Sequence, residues 1–408
     1  SPSSPSSPLT RLLNRFFSVL LFGVIALFLI SGLGFVLYQQ NDAQLPDAFR
    51  ASDMPARVMQ HYQAGQYVRV LHRGVERKIF ARTETPLAHS TEFQSRDAVV
   101  FLHGVPVSSY LYRNVLGEVA KRGYIAVAID FLGAGLSEKP KDEDYDLSSS
   151  AELLKNVFKS MGLQRIHLFV HDLAGPVGLE FAIRNANQTV SLTFGNSVVN
   201  TKDFSPPFPM SLFQIPVLDR IAFGLFTHRY TSWVQWAGMR IFGSNSITLT
   251  DASAHGYLLQ YAGGSHSFLA LMNSLDTTQE HEQFLHSGLK SLQGKVPMQA
   301  VWVDDDTIPD SDAHLATLQK LVALESVHSL PSKHFSAEDV PDLLAKQVVS
   351  FVAKHAAPVQ KYTYASTTDQ DHGDHAHGHS HGHTHGHEHA HSHGHEHAHS
   401  HGHEHAHS

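Results

Sequence analysis

The chain has no cysteine among its 408 residues. Disulfides, thiolate metal sites and cysteine nucleophiles are thereby excluded, while the redox compartment stays open, because a secreted protein can dispense with bridges. Charged residues make up only 17%, and Lys+Arg 30 against Asp+Glu 38 leaves a formal net charge of −8. That balance lacks the basic surplus that neutralises phosphates, so nucleic acid is not an expected partner. No Gly-x-Ser-x-Gly occurs before residue 378, and Asp130 with Gly133 and Gly135 fails the Gly-x-Gly-x-x-Gly spacing of a nucleotide loop. No cofactor for catalysis is implied.

Histidine is what the chain has in excess. Eighteen of its 33 histidines fall between Asp371 and Ser408, where His-Gly-His-Glu-His-Ala-His-Ser occurs three times. With Glu388, Glu396 and Glu404 interspersed and no apolar surface to bury, the segment 357–408 is expected to be a disordered tail. Neutral imidazole ligates zinc, nickel and copper, so His385, His387, His389, His391, His393 and His395 are candidate ligands for divalent metal ions that acid would release. A solubilising or pH-responsive tail is the alternative.

At the other end, residues 1–10 are Ser/Pro-rich and polar, Arg11 and Arg15 complete an N-terminal segment 1–15, and Phe16–Tyr38 is an uncharged run with only Ser18, Ser31 and the terminal Tyr38 as hydroxyls. At about 1.5 Å per residue such a helix spans roughly 34 Å, enough to cross a hydrocarbon layer of about 30 Å. A cleavable signal peptide is the alternative, but its apolar region is usually shorter and no small-x-small site follows Tyr38. The arginines precede the run and Gln39, Gln40, Asn41 and Asp42 follow it, which places the N-terminus in the cytoplasm. The expectation is a single-pass membrane protein whose remaining domain is periplasmic or lumenal.

After a linker over 39–64, short β-branched runs alternate with helical patterns, as a mostly parallel α/β sheet requires. Gln66–Arg73 and Val75–Arg82 read as a hairpin, followed by strands at Ala98–Leu102, Ile125–Ile129, Ile166–Val170, Val190–Phe194, Met298–Val303 and Leu324–Leu330. Helices are expected around 109–121, 148–161, 173–185, 311–322 and 337–354, the last with Ser336 and Asp339 as a capping-box-like start. The stretch 200–292 is too long for a loop and rich in Pro, Phe and Trp, and is read as a helical cap splitting the core into 65–199 and 293–356. Such an insert is well placed to cover a pocket at the carboxyl edge of the sheet.

The chemistry is concentrated at strand ends. Ile166–Val170 runs into His171-Asp172-Leu173-Ala174-Gly175 and then into helix, the pattern of a nucleophile elbow with Asp172 at its apex. An N-cap for the following helix is the alternative role for Asp172. A carboxylate attacking an acyl group would give an anhydride, whereas attack on saturated carbon bearing a halide or an epoxide oxygen gives an alkyl ester that water cleaves. Alkylating, small and apolar substrates are therefore favoured. Ser197 in Gly195-Asn196-Ser197 is a weaker rival, because a Pro-rich segment rather than a helix follows it. The earlier strand ends in His103-Gly104-Val105-Pro106, whose backbone N–H groups could face charge beside the elbow, and carboxylates Asp304–Asp306 and Lys333-His334-Phe335 close two later strands.

In His103–Asn114, Asp130–Ser137, His171–Gly175 and His334–Asp339 the chain resembles the α/β-hydrolases that comprise haloalkane dehalogenases and epoxide hydrolases, the branch that also holds the mesoderm-specific transcript proteins. The resemblance covers about 65–355 and implies an α/β-hydrolase fold with an eight-stranded, mostly parallel sheet. It implies that Asp172 attacks carbon, that His334 activates the hydrolysing water, and that Asp306, chosen over Asp304 and Asp305 by its place in the turn, orients His334. Backbone N–H groups of Val105 and Leu173 would form the anion hole, with His103, Gly104 and Pro106 shaping the turn and His171 preceding the nucleophile as in the relatives.

Dehalogenases usually hold the halide with a Trp after the nucleophile and often an Asn after His-Gly, where this chain has Leu173 and Val105. Neither side chain donates a hydrogen bond, so dehalogenation would need a cap residue such as Trp233 or Trp236. Epoxide hydrolases instead use cap tyrosines, and Tyr230, Tyr257 and Tyr261 are the candidates. An epoxide is the first expectation and a haloalkane the second. A membrane-tethered metal-binding protein with a degenerate hydrolase domain is the competing reading, against which the joint retention of Asp172, Asp306 and His334 weighs.

Overall fold

The computed structural model describes residues 23, 26, 29–37, 54–86, 97–143, 145–202, 204–206, 210–228, 232–306 and 310–357. The histidine-rich tail, Tyr230 and most of the apolar run 16–38 lie outside them. Among the described residues no helix is long and apolar enough to cross a membrane.

The eight strands form one sheet in the order β1-β2-β4-β3-β5-β6-β7-β8. They are β1 (Gly65–His72), β2 (Val75–Glu84), β3 (Ala98–Leu102), β4 (Ile125–Ile129), β5 (Ile166–Asp172), β6 (Thr189–Ser197), β7 (Met298–Val303) and β8 (Ser326–Leu330). Strands β1 and β2 pair antiparallel, as do β2 and β4; every other pairing is parallel. The central strands are continuous apolar runs because helices cover both faces, so β3 is buried along its whole length.

Helices α1 (Ala56–Gln63), α2 (Arg113–Lys121), α3 (Leu147–Ser160) and α4 (Ala174–Arg184) precede the cap. On one face the aromatic rings of Phe101, Tyr112 and Phe169 stack at 5.1 to 6.1 Å with α2 behind them. On the other face Phe158 of α3 and Phe181 of α4 meet edge to face at 5.0 Å. Each such ring removes enough apolar surface from water to contribute about 1.5–3 kcal/mol.

Between β6 and β7 lie α5 (Leu218–Thr227), α6 (Ser232–Phe242), α7 (Leu249–Gln260), α8 (Gly264–Met272) and α9 (Gln279–Leu292). The first four make the helical insertion over the sheet edge. Helix α9 behaves differently: Leu285, Leu289 and Leu292 join the sheet core and the helix packs on α4. After β7 come α10 (Ser311–Leu321), α11 (Ser336–Asp339) and α12 (Pro341–His355). The helix expected over 337–354 is thus broken in two. Pro341 starts α12 at its first turn, and Ser336 and Asp339 do not form a capping box for it.

Cap and core are joined by a buried ionic knot. Arg113 holds Glu338 with both terminal guanidinium nitrogens, at 2.5 and 2.8 Å, and reaches Asp251 of α7 at 3.2 Å. His255 of α7 contacts the same Glu338 at 3.1 Å, and the Tyr110 hydroxyl donates to Asp251 at 2.9 Å.

Candidate active site

Strand β5 delivers Asp172 at its last position with φ +54°, in the left-handed region that is strained for a residue with a side chain. The residue flanking α4 is Leu173, with αR geometry and no side-chain cap bond, so Asp172 is not the N-cap of that helix. The bend is kept tight by Gly175, where a Cβ would lie 2.5 Å from the Val198 carbonyl oxygen.

His334 arrives on the turn after β8 and Asp306 on the turn after β7. The Nε2 of His334 is 3.5 Å from Asp172 Oδ2, and its Nδ1 is 3.2 Å from Asp306 Oδ1. Asp304 and Asp305 are exposed. The three sequence-predicted side chains therefore meet from three separate strand ends. Burial alone would lower the pKa of His334, but the Asp306 charge and the hydrogen bonds to Asp172 and Asp306 overcome it and raise it well above the usual imidazole range. Burial would raise the Asp172 carboxyl; the hydrogen bond and charge of His334 outweigh it and hold the group below its ordinary value.

The backbone N–H of Val105 donates to Asp172 Oδ1 at 3.0 Å, and the Leu173 N–H also bonds this carboxylate. His103 Nε2 accepts the Phe131 N–H at 3.1 Å, which leaves its Nδ1–H to donate to the Gly104 carbonyl at 2.7 Å. That bridge fixes the turn next to Asp172, and the Val105-Pro106 peptide in it is cis. His171 stacks on His334 at 4.5 Å and bonds the His334 carbonyl through Nε2 at 3.1 Å. The Ser197 hydroxyl is buried and donates to the Val170 carbonyl at 2.6 Å, so it is unavailable as a nucleophile.

Two partners of Asp306, and the residue that supports one of them, are not evident from sequence motifs. Asn196 Nδ2 donates to Oδ2 at 2.7 Å and the Ser311 hydroxyl at 2.6 Å, while Trp302 Nε1 donates to Ser311 Oγ at 3.0 Å. Asn196 is the penultimate residue of β6 and Ser311 opens α10, positions with no local signal beyond their closeness to strand ends. A second organiser is Asp339. Its carboxylate accepts from the Ser244 hydroxyl at 2.6 Å and from the backbone N–H groups of Asn245 and Ser246 at 2.9 Å, all in the insertion, and from Ser332 Oγ and Lys333 N beside His334. The Phe335 N–H adds a bond to the Gly243 carbonyl at 2.7 Å.

Asp172, Asp306 and His334 open onto one cavity whose wall is mostly apolar, with Met210, Phe226, Met239 and Phe242 from the insertion. Tyr257 and Tyr261 do not line it. Both are turned into a cluster with Met54, Val58, Phe80 and Tyr110, with Lys139 over the Tyr261 ring. Trp233 is 63% exposed and Trp236 Nε1 donates to the Ile247 carbonyl at 3.2 Å; neither reaches the cavity. Among the described residues no cluster of three or more metal-ligating side chains occurs, and the expected metal ligands lie outside them.

A family model described as alpha/beta hydrolase fold matches residues 97–236. The haloalkane dehalogenase of Agrobacterium fabrum is 32% identical over 123 residues, 29% of this chain and 40% of that protein. The human mesoderm-specific transcript homolog protein is 30% identical over 180 residues, 38% of this chain and 54% of that protein. The matched stretches thus span about half the length of these relatives or less. Among solved structures, epoxide hydrolase VrEH1 from Vigna radiata aligns with a TM-score of 0.54 at 18% identity, covering 72% of this chain and 99% of the other. Haloalkane dehalogenase DatA from Agrobacterium tumefaciens C58 aligns with a TM-score of 0.53 at 21% identity, covering 72% and 98%. With its sheet order and its elbow, the chain has an α/β-hydrolase fold, and over these stretches it is similar to haloalkane dehalogenases and mesoderm-specific transcript proteins.

Proposed function

We propose that the protein is a hydrolase that opens a small apolar epoxide through an ester on Asp172. The observation that carries this reading is the position of one imidazole, His334, between two carboxylates of which one stands at a strained bend. Asp172 Oδ2 forms a bond to an epoxide carbon, and the C–O bond breaks with its electron pair on oxygen. Esterification removes the negative charge of Asp172, so His334 loses one of the two groups that raise its pKa and releases its proton, through pocket water, to the alkoxide. Neutral His334 then takes a proton from the water that attacks the ester carbonyl. The oxyanion forms on Oδ1, opposite the N–H groups of Val105 and Leu173. Collapse returns the proton from His334 to the departing alcohol, the Asp172 carboxyl proton passes to His334, and the sum is epoxide plus water to diol.

An epoxide is favoured over a haloalkane because Trp233 and Trp236, the available halide donors, stand away from the cavity. Membrane attachment through 16–38 is part of the proposal, supported by the uncharged run and by the exposure of Leu29, Ile30, Leu33 and Val36 within it. Loose binding of zinc, nickel or copper by the tail is proposed on composition alone.

The test is a His334→Gln protein incubated with a panel of terminal epoxides and haloalkanes and read by intact mass and peptide mapping. A stable adduct on Asp172 with an epoxide is expected. Absence of any Asp172 adduct across the panel would reject the mechanism in favour of a hydrolase domain without this chemistry.

A further inference from the structure

The cavity holds several polar side chains, and nearly all are committed to one another. His334 uses both ring nitrogens on carboxylates. Asn196 directs its amide N–H groups to Asp306 and Ser311 at 2.7 and 3.4 Å, and Ser311 gives its hydroxyl proton to Asp306. Asp172 and Asp306 are acceptors. Among the described residues that line the cavity, what remains is His314, one helical turn beyond Ser311 on the same face of α10.

The tautomer of His314 is fixed by its neighbours. Its Nδ1 accepts two backbone N–H groups, from Val199 at 3.3 Å and Asn200 at 3.1 Å, where the chain leaves β6. A nitrogen that accepts carries no proton, so the ring is neutral and its hydrogen sits on Nε2. Burial, the largest influence on its pKa, holds the imidazole in that form at neutral pH against the pull of Asp310, Asp172 and Asp306. The residue is only 7% exposed and lines the same cavity as Asp172, and Nε2 makes no hydrogen bond to a described residue. Nor is Nε2 among the sealed, unpartnered polar atoms, so this N–H is accessible in a residue that lines the cavity.

We infer that His314 is the group that hydrogen-bonds the oxygen leaving carbon, the role for which sequence reasoning nominated tyrosines of the insertion. This inference rests on the Asp172 reading. As the epoxide C–O bond breaks and its electron pair moves to oxygen, the Nε2–H of His314 donates a hydrogen bond to that oxygen without giving up its proton. The proton is supplied by His334 through water, as above. A rigid neutral donor in a site poor in water stabilises developing charge far more than the same donor does in bulk solvent. It also selects the substrate class: an oxygen leaving group profits from the donor, a large polarisable halide far less.

The test compares His314→Phe and His314→Gln, each in the full chain carrying His334→Gln, with two alkylating probes, 1,2-epoxyhexane and 1-iodohexane. Single-turnover formation of the Asp172 ester is followed by intact mass. His314→Phe is expected to slow epoxide alkylation roughly 100-fold and iodide alkylation less than about 3-fold, with His314→Gln in between because its amide restores a donor. Equal slowing of both probes would assign His314 a purely structural part and overturn the inference. So would unchanged epoxide alkylation in His314→Phe. Failure of the His334→Gln parent to form any ester would instead defeat the Asp172 reading itself, and the inference with it.

Discussion

Gly104 and Asp172 touch so closely that a Cβ on Gly104 would lie 2.2 Å from Asp172 Oδ1 and 2.3 Å from Asp172 Cβ. The turn after β3 is therefore built around the carboxylate, and the hydrogen bond from the Val105 N–H depends on that approach. In Gly104→Ala either the carboxylate or the turn must move. Displacement of a reacting group by about 1 Å costs on the order of 100-fold in rate. Ester formation on Asp172 should fall by about that factor while circular dichroism stays native; an unchanged rate would mean that the turn does not hold the nucleophile.

Ser311 links Trp302 to Asp306, so its loss is felt on both sides. Ser311→Ala strands the buried Trp302 N–H and removes a donor from Asp306, and is expected to cost about 1–3 kcal/mol of stability. Because Asp306 bonds His334 Nδ1, the proposed ester-hydrolysis step should slow roughly 10-fold, with alkylation less affected. Denaturant titration and the accumulation of ester under turnover report the two effects separately.

How far the sequence could anticipate this site follows from where each residue sits. Asp172, Asp306 and His334 stand next to apolar strand runs, in turns whose residue types carry the chemistry, and are readable without coordinates. Asn196, Ser311 and His314 have no such marker. Their roles arise where the end of β6 meets the first turn of α10, elements more than 100 residues apart in the chain. Asp339 misled for a related reason. Its spacing from Ser336 suits a helix cap, but the tertiary partners Ser244, Asn245 and Ser246 claim its carboxylate. In the insertion, a Tyr that packs and a Tyr that faces the pocket look alike in sequence, and Tyr257 and Tyr261 are of the first kind.

The Arg113–Glu338 pair predicts a non-additive cycle. Removing one partner from a buried ion pair leaves an uncompensated charge and costs about 3–5 kcal/mol, whereas replacing both by apolar groups is often near neutral. Arg113→Met alone should be strongly destabilised, and Arg113→Met with Glu338→Leu less so, by chemical denaturation of all four combinations. The remaining charges on Asp251 and His255 temper the recovery.

Acid stability follows from histidines held neutral inside the fold. Burial, aided by Arg82 and Arg113, lowers His61 to about 3, and burial, aided by His334, lowers His171 to about 4, from an ordinary 6.5. Below about pH 6.5 the unfolded chain therefore takes up protons that the folded chain refuses, and stability falls as pH drops toward 4; above pH 7 these groups contribute no slope. Urea midpoints measured at pH 7.5, 6 and 5 should decline in that order, and His61→Gln should flatten the decline.

The bonds from Asp339 and Phe335 to residues 243–246 have a mechanical consequence. Displacement of residues 243–246 is passed through these bonds to residues 332–335, so the insertion and the proposed water-activating base are geared together. Amide exchange at 243–246 and at 333–335 is expected to speed up in concert when Asp339→Asn loosens the joint, and independent rates in the two segments would show that the gearing is absent.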